Sequence, residues 1–333
     1  MRFEILDKMR HGYVPNKKEL VSLLEGEADE YLFKYANEVC LEKKGKIVDI
    51  RAILEFSNYC ACKCIYCGLN VHNSNVSRYR MDKDSIIKTA LLASEAGYKT
   101  IVLQSGEDYS YTKDMMCEIV ESIKKQSDIS ITLSIGERSF DELQAMRNAG
   151  ADRFLLKHET SDEKLYEILH KEDGLKDRIA CQKNIKLLKY ETGGGFMIGI
   201  PGQSTSTIAE DILLLKEVGI DMAGIGPFIS HEDTPLKGSP NGSSIMTRRA
   251  VALTRLLIPD ANLPATTSLG VLEPKERDLV FSCGANVIMR KVTPIEERLK
   301  YQIYPVNFGE IKDILTERKQ LEDYIKSLDR IPV

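Results

Sequence analysis

One unit recurs along this chain: a helix-like stretch closes on a small or apolar residue plus glycine, and a β-rich run follows. It occurs at Glu95-Ala-Gly97 before Thr100-Ile-Val-Leu-Gln104 and at Asn148-Ala-Gly150 before Arg153-Phe-Leu-Leu156. It returns at Glu217-Val-Gly219 before Asp221-Met-Ala-Gly-Ile225 and at Ser282-Cys-Gly284 before Asn286-Val-Ile-Met289. Glycine suits the left-handed residue that ends a helix. A strand directly after a helix, several times over, is the βα unit of a parallel sheet. Filling in the remainder gives eight candidate strands, near 50–56, 99–104, 129–135, 152–157, 195–200, 221–226, 262–267 and 285–289. Amphipathic stretches at 82–96, 112–125 and 204–218 carry apolar residues at helical spacing. Eight alternations in about 240 residues fit an α/β fold of the (β/α)8 TIM-barrel type. An open doubly wound sheet is the alternative.

A chain of 333 residues suits one large barrel. At that size roughly 75% of the unfolded surface is buried without help from disulfides. Asn16-Lys-Lys-Glu19 has the form of a capping box opening a helix through Leu24, and 28–43 also reads as helix. Residues 1–47 are therefore expected to form an N-terminal helical cap. Residues 48–333 are expected to form the barrel, with 309–328 as its last outer helix. The formal net charge of −4 gives no reason to expect nucleic acid or an anionic membrane as partner. No apolar run is long enough to span a bilayer, and the first residues are too mixed for an export signal. Cys40, Cys117, Cys181 and Cys283 read as buried, reduced thiols of a cytoplasmic protein.

The chemistry concentrates in Cys60-Ala-Cys-Lys-Cys64-Ile-Tyr-Cys67, directly after the first strand. This C-x3-C-x2-C spacing puts three thiols on one loop. Three thiolates can hold a 4Fe–4S cluster by three irons and leave the fourth iron without a protein ligand. S-adenosylmethionine (SAM) can chelate such an iron through its amino group and carboxylate. One electron into the sulfonium then breaks a C–S bond and yields a 5′-deoxyadenosyl radical. A zinc site with Cys62 as fourth thiolate is the competing reading. Structural zinc sites usually pair two separated knuckles, and no second C-x-x-C or H-x-x-x-H is present.

In such barrels the chemistry sits at the C-terminal ends of the strands. Those ends carry Gln104-Ser-Gly-Glu-Asp108, Thr132 with Gly136-Glu137, Lys157-His-Glu-Thr160, Gly199-Ile-Pro-Gly-Gln203, Gly224-Ile-Gly-Pro227, Thr266-Thr267 and Met289. His158 reads as a structural hydrogen-bonding histidine. The turn Ser105-Gly106-Glu107 could accept the SAM amino group, and Arg178 could pair with its carboxylate. Glu159 suits the ribose hydroxyls or the sulfonium. Tyr66 and the backbone at Gly199-Ile200 suit the adenine.

The run Glu55-Phe-Ser-Asn-Tyr-Cys60 with Cys64-Ile-Tyr-Cys67-Gly-Leu69, then Arg78-Tyr-Arg-Met81, resembles the radical SAM enzymes. Within them the chain resembles the branch that contains biotin synthase, methylornithine synthase and the FeFe-hydrogenase maturase HydE. Similarity to HydE extends through Gly136-Glu-Arg138, Asp152 to Thr160, Gly199 to Gln203, Gly224 to Phe228, Asp233-Thr-Pro235, Leu263 to Thr267 and Cys283 to Met289. The resemblance implies a complete barrel with cluster and SAM at its top, Cys60, Cys64 and Cys67 as cluster ligands, and Glu159 and Arg178 as SAM contacts. It implies a substrate cavity lined by Ser105, Thr132, Arg153, Met222, Thr266, Thr267, Met289 and Tyr301. In the family that cavity holds a small anionic iron complex bearing cyanide, carbon monoxide and cysteine, destined for the two-iron subcluster of the hydrogenase. A reductant such as ferredoxin or flavodoxin and other maturation proteins are the implied partners. Two departures stand out. No cysteine follows Cys283, so one cluster is expected where some relatives carry an accessory one. Lys157 stands at a substrate-side position where the family has arginine, which keeps the charge but loses the planar fork. Two other readings remain: an amino-acid mutase of the methylornithine synthase type, and a non-catalytic Fe–S or zinc carrier.

Overall fold

The computed structural model describes residues 2–171, 174–305 and 312–333. Three helices, α1 (Arg2–Arg10), α2 (Lys17–Leu24) and α3 (Asp29–Lys44), precede strand β1 (Ile47–Ser57). Then follow α4 (Lys83–Glu95), β2 (Thr100–Ser105), α5 (Lys113–Lys124), β3 (Ser130–Ser134), α6 (Phe140–Asn148) and β4 (Arg153–Leu155). Next come α7 (Glu163–His170), α8 (Leu175–Leu187), β5 (Glu191–Ile198), α9 (Thr205–Val218), β6 (Met222–Pro227) and α10 (Ser244–Leu257). The chain ends with β7 (Pro264–Ala265), α11 (Thr267–Leu272), α12 (Pro274–Leu279), β8 (Val287–Lys291), α13 (Ile295–Arg298), α14 (Ile314–Ser327) and β9 (Ile331–Pro332). Of the expected final helix, residues 309–311 lie outside the described residues.

The strands run parallel in the order β6-β5-β4-β3-β2-β1-β8-β7, and β9 adds to β1. Between β6 and β7 the ladder shrinks to one bridge, Met222 to Asn262, with Ala223 N–H donating to Asn262 O (3.0 Å). The result is a nearly closed eight-stranded barrel, and the open doubly wound sheet is set aside. Helices cover its outside, so the strands are buried on both faces and read as near-continuous apolar runs. Among the described residues no helix is long and apolar enough to cross a membrane.

The helix starts follow the sequence closely because capping is local. Asn16 Oδ1 accepts from Glu19 N–H (3.1 Å) and Glu19 Oε2 accepts from Asn16 N–H (2.8 Å), a complete capping box. Helix α2 packs on α9, and α3 packs on α10. Cys40 Sγ of α3 lies 3.8 Å from Ala285 O, just before β8 begins, at the end of the barrel away from the cysteine loop.

Three strands differ from expectation. β5 begins at Glu191, not near 195. The run Gly193-Gly-Gly195 hides its start, and these glycines sit where neighbouring chains approach closely. β4 stops at Leu155 because its pairing with β5 turns irregular there: Leu156 and His158 N–H still reach Gly193 and Gly195 O, but Glu159 is left-handed and pairs only through a single bridge to Phe196. β7 is reduced to two residues, since Pro264 has no N–H and Leu263 N–H donates to the Asn286 side chain (2.9 Å).

Candidate active site

The cysteine loop leaves β1 at Ser57 and returns through an antiparallel bridge between Ser57 and Arg80. Inside that return the Arg78 guanidinium donates to the carbonyls of Asn58, Leu69, Asn70 and Asn73. Arg80 grips Asp108 with two bonds (2.7 and 3.0 Å), Ser57 Oγ donates to the same carboxylate (2.7 Å), and the Arg80 guanidinium lies 3.6 Å over the Tyr59 ring. Burial works against the Asp108 charge, but Arg80 and Ser57 outweigh it and hold the carboxyl below the usual range. The base of the loop is thus tied to the ends of β1 and β2.

Two cysteine sulfurs already accept backbone bonds: Cys60 from Glu107 N–H (3.3 Å) and Cys67 from Leu69 N–H (3.4 Å). Cys60, Cys62 and Cys64 line the cavity beneath, whereas Cys67 is not in its wall. Hydrogen bonding from Cys62 and then burial push the Cys60 thiol up, and burial pushes Cys67 up to about 12. Such thiols are poor free nucleophiles. A bound metal centre supplies the positive charge that turns them into thiolates. Among the described residues no three His, Cys, Asp or Glu side chains converge as ligands of one ion would. A cubane asks for less convergence, because each thiol meets its own iron. Three cysteines on one braced loop, two with N–H donors aimed at sulfur, fit that group.

Under the loop the barrel encloses a cavity of about 370 Å³. Its upper tier holds most of the expected SAM contacts. Ser105, Gly106, Glu107, Tyr66, Glu159 and Arg178 all line it. Glu107 Oε1 accepts from Tyr109 (2.6 Å) and Oε2 from Glu137 N–H (3.1 Å). Arg178 Nε lies 2.9 Å from Glu137 and 3.1 Å from Tyr166 Oη. Tyr166 stacks on His170 at 3.8 Å, and His170 Nε2 meets Tyr66 Oη at 3.0 Å. Arg178 is therefore aimed by a chain of rings running from α8 to the cysteine loop. Ile200 falls elsewhere: it is buried with Leu165, Leu169 and Phe228 in a small cluster that backs Tyr66.

Glu159 is one of few non-glycine residues with positive φ (64°), a conformation costing on the order of 1 kcal/mol. Lys157 Nζ stands 2.9 Å from Glu159 Oε2. The lysine stem runs over Gly195 and Gly224, where a Cβ would meet Lys157 Cε at 3.0 and 4.0 Å.

Met222, Thr266, Thr267, Met289 and Tyr301 also line the cavity as expected. Two expected residues do not. Thr132 faces the barrel axis but is sealed off, fully buried with no hydrogen-bond partner for its Oγ1. Arg153 lies level with Thr132 and Glu191 at the barrel floor, donating to Glu191 (2.5 Å) and Thr100 (2.9 Å). Facing inward is a property of register, whereas depth along the strand decides what reaches the cavity.

The sequence reading passed over Arg51, Glu55, Lys291, Tyr304 and His170, all on the wall. Glu55 Oε1 is 2.7 Å from Lys291 Nζ, and burial pushes its carboxyl up despite that cation. Arg51 donates to Asp49 (2.7 Å) and its Nη1 lies 2.9 Å from Met222 Sδ. A usable signal was present: arginine and glutamate at alternate positions of a strand buried on both faces have to be paired with something inside.

Comparison with known proteins agrees with this geometry. The model of the radical SAM superfamily matches residues 54–233. The [FeFe] hydrogenase maturase subunit HydE of Thermotoga maritima is 45% identical over 304 residues, 91% of this chain and 87% of that one. The 3-methylornithine synthase of Methanosarcina acetivorans is 29% identical over 299 residues, 88% of this chain and 84% of its own. A crystal structure of methylornithine synthase (PylB) superposes with a TM-score of 0.87 at 25% identity, over 98% of this chain and 97% of that one.

Proposed function

Because the chain belongs to the radical SAM superfamily, we propose that it is a maturase-type enzyme holding one site-differentiated cluster on Cys60, Cys64 and Cys67. When bound, the 4Fe–4S cluster supplies the electron that splits SAM and releases the 5′-deoxyadenosyl radical. The residues do the rest. Arg178, aimed by Glu137 and Tyr166, receives the SAM carboxylate. The turn Ser105-Gly106-Glu107 receives its amino group, Glu159 faces the ribose or sulfonium, and Tyr66 flanks the adenine. An apolar middle tier of Ile53, Leu155, Met222 and Met289 keeps water from the radical's path.

We propose as substrate a small anionic iron complex bearing cyanide, carbon monoxide and cysteine, on the way to the two-iron subcluster of an FeFe-hydrogenase. The observation that carries this is the charge state of the wall. Each described wall carboxylate is already engaged: Glu55 by Lys291, Glu107 by Tyr109 and Glu159 by Lys157. The wall carries Arg51, Lys157, Arg178 and Lys291 against those three carboxylates, an excess of positive charge that favours an anion over a diamino acid. The identity shared with the HydE subunit supports the same reading. A low-potential ferredoxin or flavodoxin and other maturation proteins are its proposed partners.

The test supplies reduced enzyme and SAM with either the iron–cyanide–carbonyl–cysteine complex or lysine. The reading expects the adenosyl group to be captured only with the iron complex. Conversion of lysine with the iron complex left intact would move the enzyme to the mutase class.

A further inference from the structure

Asp211 lies on the inner face of α9, fully buried beside Ile208, Ile212 and Leu215. Packing alone favours an apolar side chain there, and among the described residues no lysine or arginine pairs with it. Burial pushes its carboxyl up. Its carboxylate instead reaches the segment after β4 on both sides of Glu159. Oδ1 accepts the Ser161 N–H at 2.5 Å and lies 3.5 Å from His158 Nε2, a contact without a hydrogen bond. The His158 ring is backed by the Phe196 ring at 5.9 Å.

Between those two anchors the chain makes its left-handed turn at Glu159. Strand β5 holds the turn from the other side. The N–H groups of His158 and Glu159 share the Gly195 carbonyl (3.0 and 3.2 Å), and Met197 N–H donates to Glu159 O (3.1 Å). Thr160 N–H closes the turn onto His158 O (2.7 Å), and these bonds tie the turn only to itself and to β5. Asp211 adds a tie to α9: it bonds the N–H of the residue two after and lies against the ring of the residue before, so the backbone cannot relax without breaking the Ser161 bond or moving His158 off the carboxylate.

The geometry points to Asp211 as a positioning residue: through His158 and the Ser161 N–H it holds Glu159 in the left-handed conformation that presents its carboxylate to SAM. This rests on the reading of Glu159 as a SAM contact. Asp211 touches neither SAM nor the cluster, so it acts on affinity through one backbone turn.

The test measures SAM binding by calorimetry to the anaerobically reconstituted, unreduced enzyme, so that nothing turns over. Asp211→Ala is expected to weaken SAM binding about tenfold, with iron content unchanged and 5′-deoxyadenosine formation restored at saturating SAM. Asp211→Asn keeps an acceptor for the Ser161 N–H and nearly the same volume, so it is expected to lose less and to remain folded where alanine does not. The deciding step repeats Asp211→Asn in a Glu159→Gly background, where the strained conformation costs nothing and the carboxylate is gone. There the Asp211 substitution is expected to have no further effect. An equal loss in both backgrounds overturns the inference, as does unchanged affinity in both Asp211 variants while Glu159→Gln binds weakly. Unchanged affinity in Glu159→Gln itself removes the reading of Glu159 and the inference with it.

Discussion

Cys62 occupies the cavity wall beside Cys60 and Cys64 and receives no iron in the proposed site. That makes it the sharpest internal control. Cys64→Ala is expected to lose both the bound iron and SAM cleavage, and Cys62→Ala to keep both, as read by iron per chain and 5′-deoxyadenosine formed. That Cys60, Cys64 and Cys67 share one loop was legible, because spacing in sequence is spacing in space there. That Thr132 and Arg153 stay out of the cavity wall was not, because alternation fixes which face a residue takes but not its depth. Asp108 gives a second prediction at this scale. Asp108→Asn should cost about 1–2 kcal/mol of apoprotein stability at neutral pH, discounted because Arg80 is partly solvated. The parent carboxyl is held low by Arg80 and Ser57 against burial. Its contribution is complete above the unfolded-state value of about 4 and is lost as pH falls through the lower folded value. Urea midpoints of parent and variant should therefore stay a constant distance apart from neutral pH down to about 5 and approach each other below about 4.

Elements were legible where their signals are local. The capping box at Asn16 and Glu19 and the start of α9 sit where the sequence puts them, since a cap needs only its own turn. Strand ends were not, because they depend on neighbours distant in sequence. The glycines of β5 look like strand breakers and are spacers: at Gly195, with φ 149°, a Cβ would meet the Gly224 carbonyl and Lys157 Cε. Gly195→Ala is expected to destabilise by about 2–4 kcal/mol. At Gly219, the left-handed end of α9 (φ 76°), a Cβ meets only Lys186 Cε at 3.5 Å. Gly219→Ala is expected to cost only about 1 kcal/mol, and the two chemical denaturation curves should separate accordingly.

At the scale of the molecule, the recurring helix–glycine–strand unit made the barrel readable, because such units close with one hand and one order. Its seam between β6 and β7 was not readable, because the Met222–Asn262 bridge joins residues whose partnership only the folded register creates, and the same is true of the Glu55–Lys291 pair across β1 and β8. The fold puts a braced cysteine loop over a sheltered cavity, and the whole account depends on an iron in that loop that the protein leaves open. The direct test is anaerobic reconstitution followed by dithionite and SAM, with metal content and 5′-deoxyadenosine measured on the same sample. The account predicts about four irons per chain, and 5′-deoxyadenosine formed only after reduction. Zinc in the thiol loop, or a full complement of iron that leaves SAM intact, would contradict it.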